Sequence, residues 1–142
     1  MKYFNDVNRF GTSTLLFREL SLDKALENIS YIKLKKVDLS IILPKFCPHY
    51  DPLKTNEDDD KNLKDLFQRF GLELSTLNIV PGYFNKDDPK EVSYFIRRCV
   101  NIAKVLGGHS ITMPSGIKVD SKEWLKNVKI VKRFILDDAK FS

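Results

Sequence analysis

The stretch Phe70-Gly-Leu-Glu-Leu-Ser-Thr-Leu-Asn78 passes from the end of one predicted helix into a buried strand. Gly71 stands where a helix C-cap glycine belongs, since the residue after a helix often takes a left-handed conformation that glycine adopts without strain. The predicted strand runs from Leu72 to Val80 and is ended by Pro81-Gly82. A helix that leads directly into a buried strand is one step of an alternating α/β chain.

The same alternation extends in both directions from this stretch. The predicted strands are Gly11 to Phe17, Val37 to Leu43, Leu72 to Val80 and His109 to Met113. Each is followed by a segment with apolar residues at helical spacing. Four strand–helix units in succession predict parallel strands joined by right-handed crossovers. We therefore expect a single α/β domain over residues 1–142 that forms about half of a (β/α)₈ TIM barrel, since a whole barrel needs about 250 residues.

Two of the predicted helices carry specific signals. Asp88 is a predicted N-cap, Pro89 fits the first helical position, and Glu91 completes a capping-box pattern. Cys99 falls on the apolar stripe of that helix and is predicted to be a small buried hydrophobe. The last helix follows the predicted cap Ser121. Its apolar stripe is predicted to face the core and consists of Trp124, Leu125, Val128, Val131 and Ile135.

Charge and hydropathy exclude several classes of protein. The chain has 24 Lys and Arg against 19 Asp and Glu, a formal charge of +5. The basic residues are scattered along predicted helices, which is typical of solvated surface, whereas a nucleic-acid site needs a concentrated patch. The segment from Met1 to Phe10 lacks the apolar core of a signal peptide, and no stretch approaches a membrane span. We expect a cytoplasmic protein with no nucleic-acid and no membrane partner.

Four segments, in order along the chain, resemble one known family. They are Gly11-Thr-Ser-Thr14, Lys36-Val-Asp-Leu-Ser40, the stretch from Phe70 to Asn78, and Ala103-Lys-Val-Leu-Gly107. As an ordered set they are similar to the N-terminal half of the sugar phosphate isomerase/epimerase family, the xylose isomerase-like barrels. Asp38 stands where that family usually has a glutamate. The resemblance covers nearly the whole chain from Gly11.

The resemblance implies an activity whose metal site lies elsewhere. Intact members interconvert sugars by metal-assisted proton transfer, and a divalent metal (Mn, Mg, Co or Zn) is implied for an intact homologue. Its ligands are two glutamates, an aspartate and a histidine at the ends of later strands, and none corresponds to a residue of this chain. We therefore expect no catalytic residue, no metal ligand and no cofactor here. The chain alone is expected to be an inactive, incomplete isomerase/epimerase-like protein.

Three kinds of protein remain open. A truncated product or one half of a split enzyme would pair with a missing second half. A natural short protein would instead be a non-catalytic half-barrel that self-associates or binds a ligand. An endonuclease IV-like DNA repair protein is disfavoured, because Met113 stands where that branch places a histidine.

Four residues in the loops and strand ends are candidate contacts for a sugar or sugar phosphate. They are His49, Asn78, Tyr83 and Ser115. His49 is otherwise a loop histidine bonded locally, and the Asn78 amide otherwise satisfies a neighbouring backbone group. Asp38, inside an apolar strand, is expected to hold a structural hydrogen bond rather than to act as a base.

Overall fold

The computed structural model describes residues 10–43, 46–83, 85–114, 116–117, 120 and 122–140. Its strands are β1 (Gly11–Ser13), β2 (Lys36–Ile41), β3 (Glu73–Ile79) and β4 (Ile111–Thr112). Its α-helices are α1 (Leu22–Tyr31), α2 (Glu57–Arg69), α3 (Pro89–Val105) and α4 (Trp124–Ala139). The sheet order is β1-β2-β3-β4, and every neighbouring pair is parallel. This confirms the predicted α/β class and its four consecutive strand–helix units.

The first strand is shorter than predicted. It ends at Ser13, and Thr14–Phe17 forms a 3₁₀ helix instead. The Ser13 hydroxyl accepts a hydrogen bond from the backbone N–H of Leu15, which caps this turn. The Thr14 hydroxyl accepts from the backbone N–H of Ser40 at 3.0 Å, so a side chain replaces the next rung of the β1–β2 ladder. Such local side-chain bonding competes with regular strand pairing.

The helix starts follow their capping residues. Ser21 accepts from Lys24 N–H at the start of α1, and Asp88 accepts from Lys90 N–H ahead of Pro89 in α3. At α2 the structure adds a capping box that the sequence analysis missed. Asn56 caps the helix, and the Asp59 carboxylate accepts from the Asn56 backbone N–H at 2.9 Å. The predicted cap Ser121 lies outside the described residues. None of the helices in the described ranges is long and apolar enough to cross a membrane.

The core lies between one face of the sheet and the helices α1, α2 and α3. The fully buried strand residues on this face are Val37, Leu39, Ile41, Leu77 and Ile79. They pack against helix residues that include Leu26, Ile29, Leu63, Phe67, Val92, Ile96, Cys99 and Ile102. Cys99 is buried, as predicted.

A β-bulge in β3 sets which side chains reach this core. The β2–β3 register shifts between Val37 and Asp38, so Ser75 has no partner on β2. Side chains alternate between faces along a regular strand, so residues three apart point to opposite sides. The extra residue at Ser75 removes this restriction and lets Leu74 and Leu77 both pack against the helices.

The apolar stripe of α4 does not face the core, and that prediction is wrong. Trp124 is 61% exposed, and Leu125, Val128 and Ile135 are also exposed. Val131 alone of the five packs against the core, as a partly buried residue. The helix is amphipathic, as predicted. However, β4 is only two residues long, and four of the five residues of the stripe remain exposed within the described ranges.

Candidate functional site

The face of the sheet turned away from the helices is polar. The parallel register places three side chains next to one another in a lower row: Ser13, Asp38 and Thr76. Two residues further along β2 and β3, an upper row contains Ser40 and Asn78, and it continues to Thr112 on β4. Because strand side chains alternate, both rows lie opposite the buried Leu39 and Leu77. We call them the lower and upper polar rows.

In the upper row, the Ser40 hydroxyl is hydrogen-bonded within the chain, whereas the Asn78 amide is not hydrogen-bonded to any described residue. Ser40 is buried, and its hydroxyl lies 3.1 Å from that of Ser13. Thr112 donates weakly to the Leu77 carbonyl at 3.5 Å. Asn78 is half-buried, and no residue in the described part of the chain hydrogen-bonds to its side-chain amide. This amide offers two donors and an acceptor toward the open face.

Asp38 in the lower row has an unsatisfied carboxylate oxygen. Its Oδ1 is buried without a hydrogen-bond partner among the described residues. The structural hydrogen bond expected for this atom is therefore not made within them. Burial raises the pKa of the Asp38 carboxyl above its ordinary value of 3.8, because the charged form loses hydration. A buried polar atom without a partner is uncommon in folded proteins, which makes the ionisation of Asp38 a property to test.

The raised pKa gives a testable pH dependence. The folded protein holds the Asp38 proton more tightly than the unfolded chain, so stability is expected to fall as pH rises from 3.8 through the raised folded value. Asn at this position removes the ionisation. We expect Asp38→Asn to be more stable than the wild type at neutral pH and to lose that advantage below the unfolded pKa. Urea unfolding midpoints measured from acid to neutral pH will check this.

A second carboxylate provides the control with the opposite sign. Hydrogen bonding to Lys61 lowers the pKa of Asp58 on α2, so the stability that this group adds is complete above its unfolded pKa and is lost as pH falls through the lowered folded value. Asp58→Asn should therefore be slightly less stable than the wild type at neutral pH. An Asp38→Asn variant that is also less stable at neutral pH would contradict the assignment of Asp38 as an unpaired, desolvated carboxylate.

His49 is buried in the loop between β2 and α2. Its Nε2 lies 3.1 Å from the Leu20 carbonyl oxygen, and its Nδ1 lies 3.2 Å from Cys47 Sγ. A carbonyl can only accept, so Nε2 carries the hydrogen and Nδ1 accepts from the Cys47 thiol. Burial raises the pKa of that thiol, which keeps it protonated. Both ring nitrogens are thus occupied by the chain, and a sugar contact by His49 stays a prediction.

The other two candidates follow β3 and β4. Tyr83 is half-buried, and its backbone N–H donates to the Asp87 carboxylate at 2.7 Å, which fixes the turn after β3. Ser115 lies outside the described residues. Of the three candidates within the described residues, Asn78 alone lies in the polar rows.

The comparisons with known proteins concern the fold. No family model and no curated protein matches the chain. A probable 3-DHS dehydratase, AsbF, involved in petrobactin synthesis in Bacillus anthracis, matches with a TM-score of 0.69 and 11% identity over 93% of this chain and 48% of that one. A sugar phosphate isomerase/epimerase from Parabacteroides distasonis matches with a TM-score of 0.66 and 16% identity over 99% and 49%. The chain has the fold of half a xylose isomerase-like TIM barrel. It spans about half the length of these two structures.

The polar rows occupy a defined place in this half-barrel. In (β/α)₈ barrels the ligand face is formed by the C-terminal ends of the strands. Ser40 and Asn78 are the second-last residues of β2 and β3, and Thr112 is the last residue of β4. The upper polar row therefore lies at the end of the half-barrel where barrels bind ligands.

Asn85 joins two loops at this same end, and the sequence analysis missed it. Its side-chain amide donates to the Ile117 carbonyl at 3.0 Å and its Oδ1 accepts from the Ile117 N–H at 3.1 Å. The loop after β3 is thereby tied to the loop after β4. Gly116 comes so close to Asn85 that a Cβ at this position would lie 2.7 Å from Asn85 Oδ1. Nothing in the local sequence reports a contact across 32 residues.

The donor set does not fit the divalent metal that the resemblance implies. In the part of the chain that the structure describes, no group of three or more His, Cys, Asp or Glu residues is placed to hold a metal ion. The polar rows offer hydroxyls, one amide and the single carboxylate of Asp38. A divalent catalytic metal in this class of site needs several carboxylate or imidazole ligands. No chemical step is therefore assigned to a metal held by these residues.

Proposed function

We propose that this half-barrel supplies one wall of a binding site for a sugar or sugar phosphate, within a sugar phosphate isomerase/epimerase-like barrel. The observation that carries the proposal is the uncommitted Asn78 amide beside Thr112 at the ligand end of the sheet. A sugar presents alternating hydroxyl donors and acceptors, and amide and hydroxyl side chains satisfy both kinds of group. The likeness to a sugar phosphate isomerase/epimerase structure supports this class of ligand.

Each polar residue has a distinct part in this proposal. Asn78 donates to one sugar oxygen and accepts from a neighbouring hydroxyl, while Thr112 accepts from another. The Ser13–Ser40 pair holds the upper row in place from beneath. Asp38 lies in the lower row, where its buried Oδ1 is not open to a sugar hydroxyl, so it makes no sugar contact in this proposal. Asn78 and Thr112 bind and orient the ligand.

Turnover is not expected from this chain alone. Moving a proton beside a carbonyl needs a base and stabilisation of the enediolate oxygens. The two polar rows supply one carboxylate and no cationic group. On this proposal the reaction belongs to the assembled barrel, and the half-barrel contributes substrate contacts to it.

The proposal is tested by calorimetric titration with a pentose phosphate, the same pentose without phosphate, and inorganic phosphate. We expect Asn78→Ala to weaken sugar binding by roughly tenfold, because one or two net hydrogen bonds of about 0.5–1.5 kcal/mol each are lost. The matched control is Asn101→Ala, the same change on the exposed face of α3. It should leave binding unaltered.

Two outcomes would overturn the proposal. Equal loss in Asn78→Ala and Asn101→Ala would place the sugar elsewhere. Binding of inorganic phosphate without any contribution from the pentose would replace a sugar site with an anion site. Binding of both sugars with equal affinity would keep the polar rows as a sugar site and remove the phosphate from the ligand.

A further inference from the structure

Exposed apolar side chains are concentrated in the first and last strand–helix units. The first unit and its preceding residue expose Phe10, Leu16, Leu20, Tyr31 and Ile32. The last unit exposes Ile117, Trp124, Leu125, Val128, Ile135 and Leu136. We call these sets the first-unit patch and the last-unit patch. Large apolar patches on a folded surface mark interaction sites.

The last-unit patch is concave. It lines a groove of about 490 Å³ along α4, whose walls include Ile117, Trp124, Val128, Ile135 and Leu136. Asn85, whose amide donates to the Ile117 carbonyl, also lines the groove. A groove of this kind accommodates apolar side chains projecting from another surface.

The two patches belong to the strand–helix units that contain the two outer strands of the sheet. β1 and β4 are the ends of the order β1-β2-β3-β4, and each has a paired strand on one side within the described residues. Both run in the same direction. Unpaired edges expose backbone N–H and C=O groups that readily pair with another chain.

The charges of the flanking helices are complementary. Over its whole length, α4 carries four basic residues against the acidic Asp137 and Asp138, a net charge of +2; the basic residues are Lys126, Lys129, Lys132 and Arg133. α1 carries Asp23 and Glu27 against the single Lys24. Opposite charges on two apolar patches steer them toward each other and disfavour pairing of α4 with another α4.

We propose that the occupant of both patches is a second copy of this chain. A two-fold axis along the barrel axis places β4 of each copy beside β1 of the other, with all eight strands parallel. One rotation then covers both edges and both patches at once, so the assembly closes. This chain covers 48% and 49% of the two matched structures, so a second copy would supply a comparable length of chain. The inference is independent of the sugar proposal, although closure would also bring the polar rows of both copies around one cleft.

The first test is the mass of the protein in solution, measured by size-exclusion chromatography with light scattering. We expect twice the chain mass of 16.5 kDa.

Trp124→Glu in the last-unit patch and Ile32→Lys in the first-unit patch should each raise the dimer dissociation constant by roughly tenfold or more. Both positions are exposed, so circular dichroism and melting should remain those of the folded chain. Tyr94→Glu is the matched control: Tyr94 is 60% exposed on α3, against 61% for Trp124, and lies in neither patch.

Mixing the two edge variants distinguishes this arrangement from other dimers. In a mixed dimer one of the two contacts carries both substitutions and the other carries neither, so dimer formation should recover. A dimer built from two α4 faces would keep its dissociation constant in Ile32→Lys, and mixing the two variants would not restore wild-type dimer formation. Either result would overturn the proposal. A monomer at every accessible concentration, or open polymers in place of a closed pair, would overturn it as well. A monomer would leave both patches to a second half of different sequence.

Discussion

Replacing Arg98 with alanine is expected to destabilise the half-barrel by about 3–5 kcal/mol, because it leaves a buried carboxylate without its partner. Arg98 on α3 forms a bidentate ion pair with Asp60 on α2. Its Nη1 lies 3.0 Å from Oδ2 of Asp60, and its Nη2 lies 3.1 Å from Oδ1. The Asp60 side chain is 2% exposed and that of Arg98 14%. The Tyr50 hydroxyl donates to the same carboxylate at 2.7 Å. Hydrogen bonding to Asp60 also raises the pKa of Arg98, so the guanidinium stays charged.

The same arginine holds a loop. Its remaining N–H groups donate to the backbone carbonyls of Pro52 and Thr55, at 3.2 and 3.3 Å. These residues belong to the connection between β2 and α2. Arg98→Ala therefore removes the anchor of this loop as well as the ion pair, and both losses add to the cost.

Urea unfolding will measure the effect, with Arg69→Ala as the matched control. Arg69 also pairs with a carboxylate across two elements, but its contact with Asp23 is 3.4 Å long and both side chains are about half exposed or more. Exposed pairs of this kind contribute about 0–1 kcal/mol. A loss for Arg98→Ala no greater than that for Arg69→Ala would show that the Asp60 carboxylate is solvated after all.

Leu77→Ala is the second substitution with a large expected effect. Leu77 is fully buried on the helix-facing side of β3, and its removal should cost about 2–5 kcal/mol through lost burial and the cavity left behind. Its neighbour Asn78 faces the opposite side and makes no described side-chain hydrogen bond. Asn78→Ala should therefore change stability by about 0.5 kcal/mol or less, as surface changes usually do.

The two neighbours should thus separate stability from binding. Chemical unfolding and sugar titration of both variants will check this: Leu77→Ala lowers stability, and Asn78→Ala lowers affinity. A stability loss for Asn78→Ala that approaches that of Leu77→Ala would mean that the Asn78 side chain is part of the packed core. The assignment of the two sheet faces would then be wrong.

Local sequence signals predicted the order of elements well, because they depend on near neighbours. Gly71 adopts a left-handed conformation after α2, with φ of 63°, as a C-cap glycine does. Asp88 and Pro89 begin α3 as expected. The prediction placed the end of the first strand too late. The strand ends where the Thr14 hydroxyl bonds to Ser40, and a contact between residues 26 apart cannot be read from the local sequence.

The candidate site was predicted only in part for the same reason. Asn78 was identified from the resemblance, whereas Thr112 was missed, because only the strand register reveals that these two residues are neighbours. The predicted orientation of α4 was wrong because an apolar stripe indicates that a helix buries one face, but it does not indicate which surface that face packs against. The contacts of Arg98 and Asn85 likewise link distant segments.

The bulge at Ser75 makes the number of residues in β3 matter more than their identity. Deleting Ser75 would restore regular alternation and leave Leu77 facing the helices and Asn78 facing the polar rows. Deleting a residue of β3 between the bulge and Leu77 would instead exchange the two faces if the bulge is kept. Any alignment of this chain with a relative must therefore place its gap at Ser75 if that relative lacks the bulge. A gap placed four residues later, at Ile79, would pair Asn78 with a core position and hide the correspondence between binding residues.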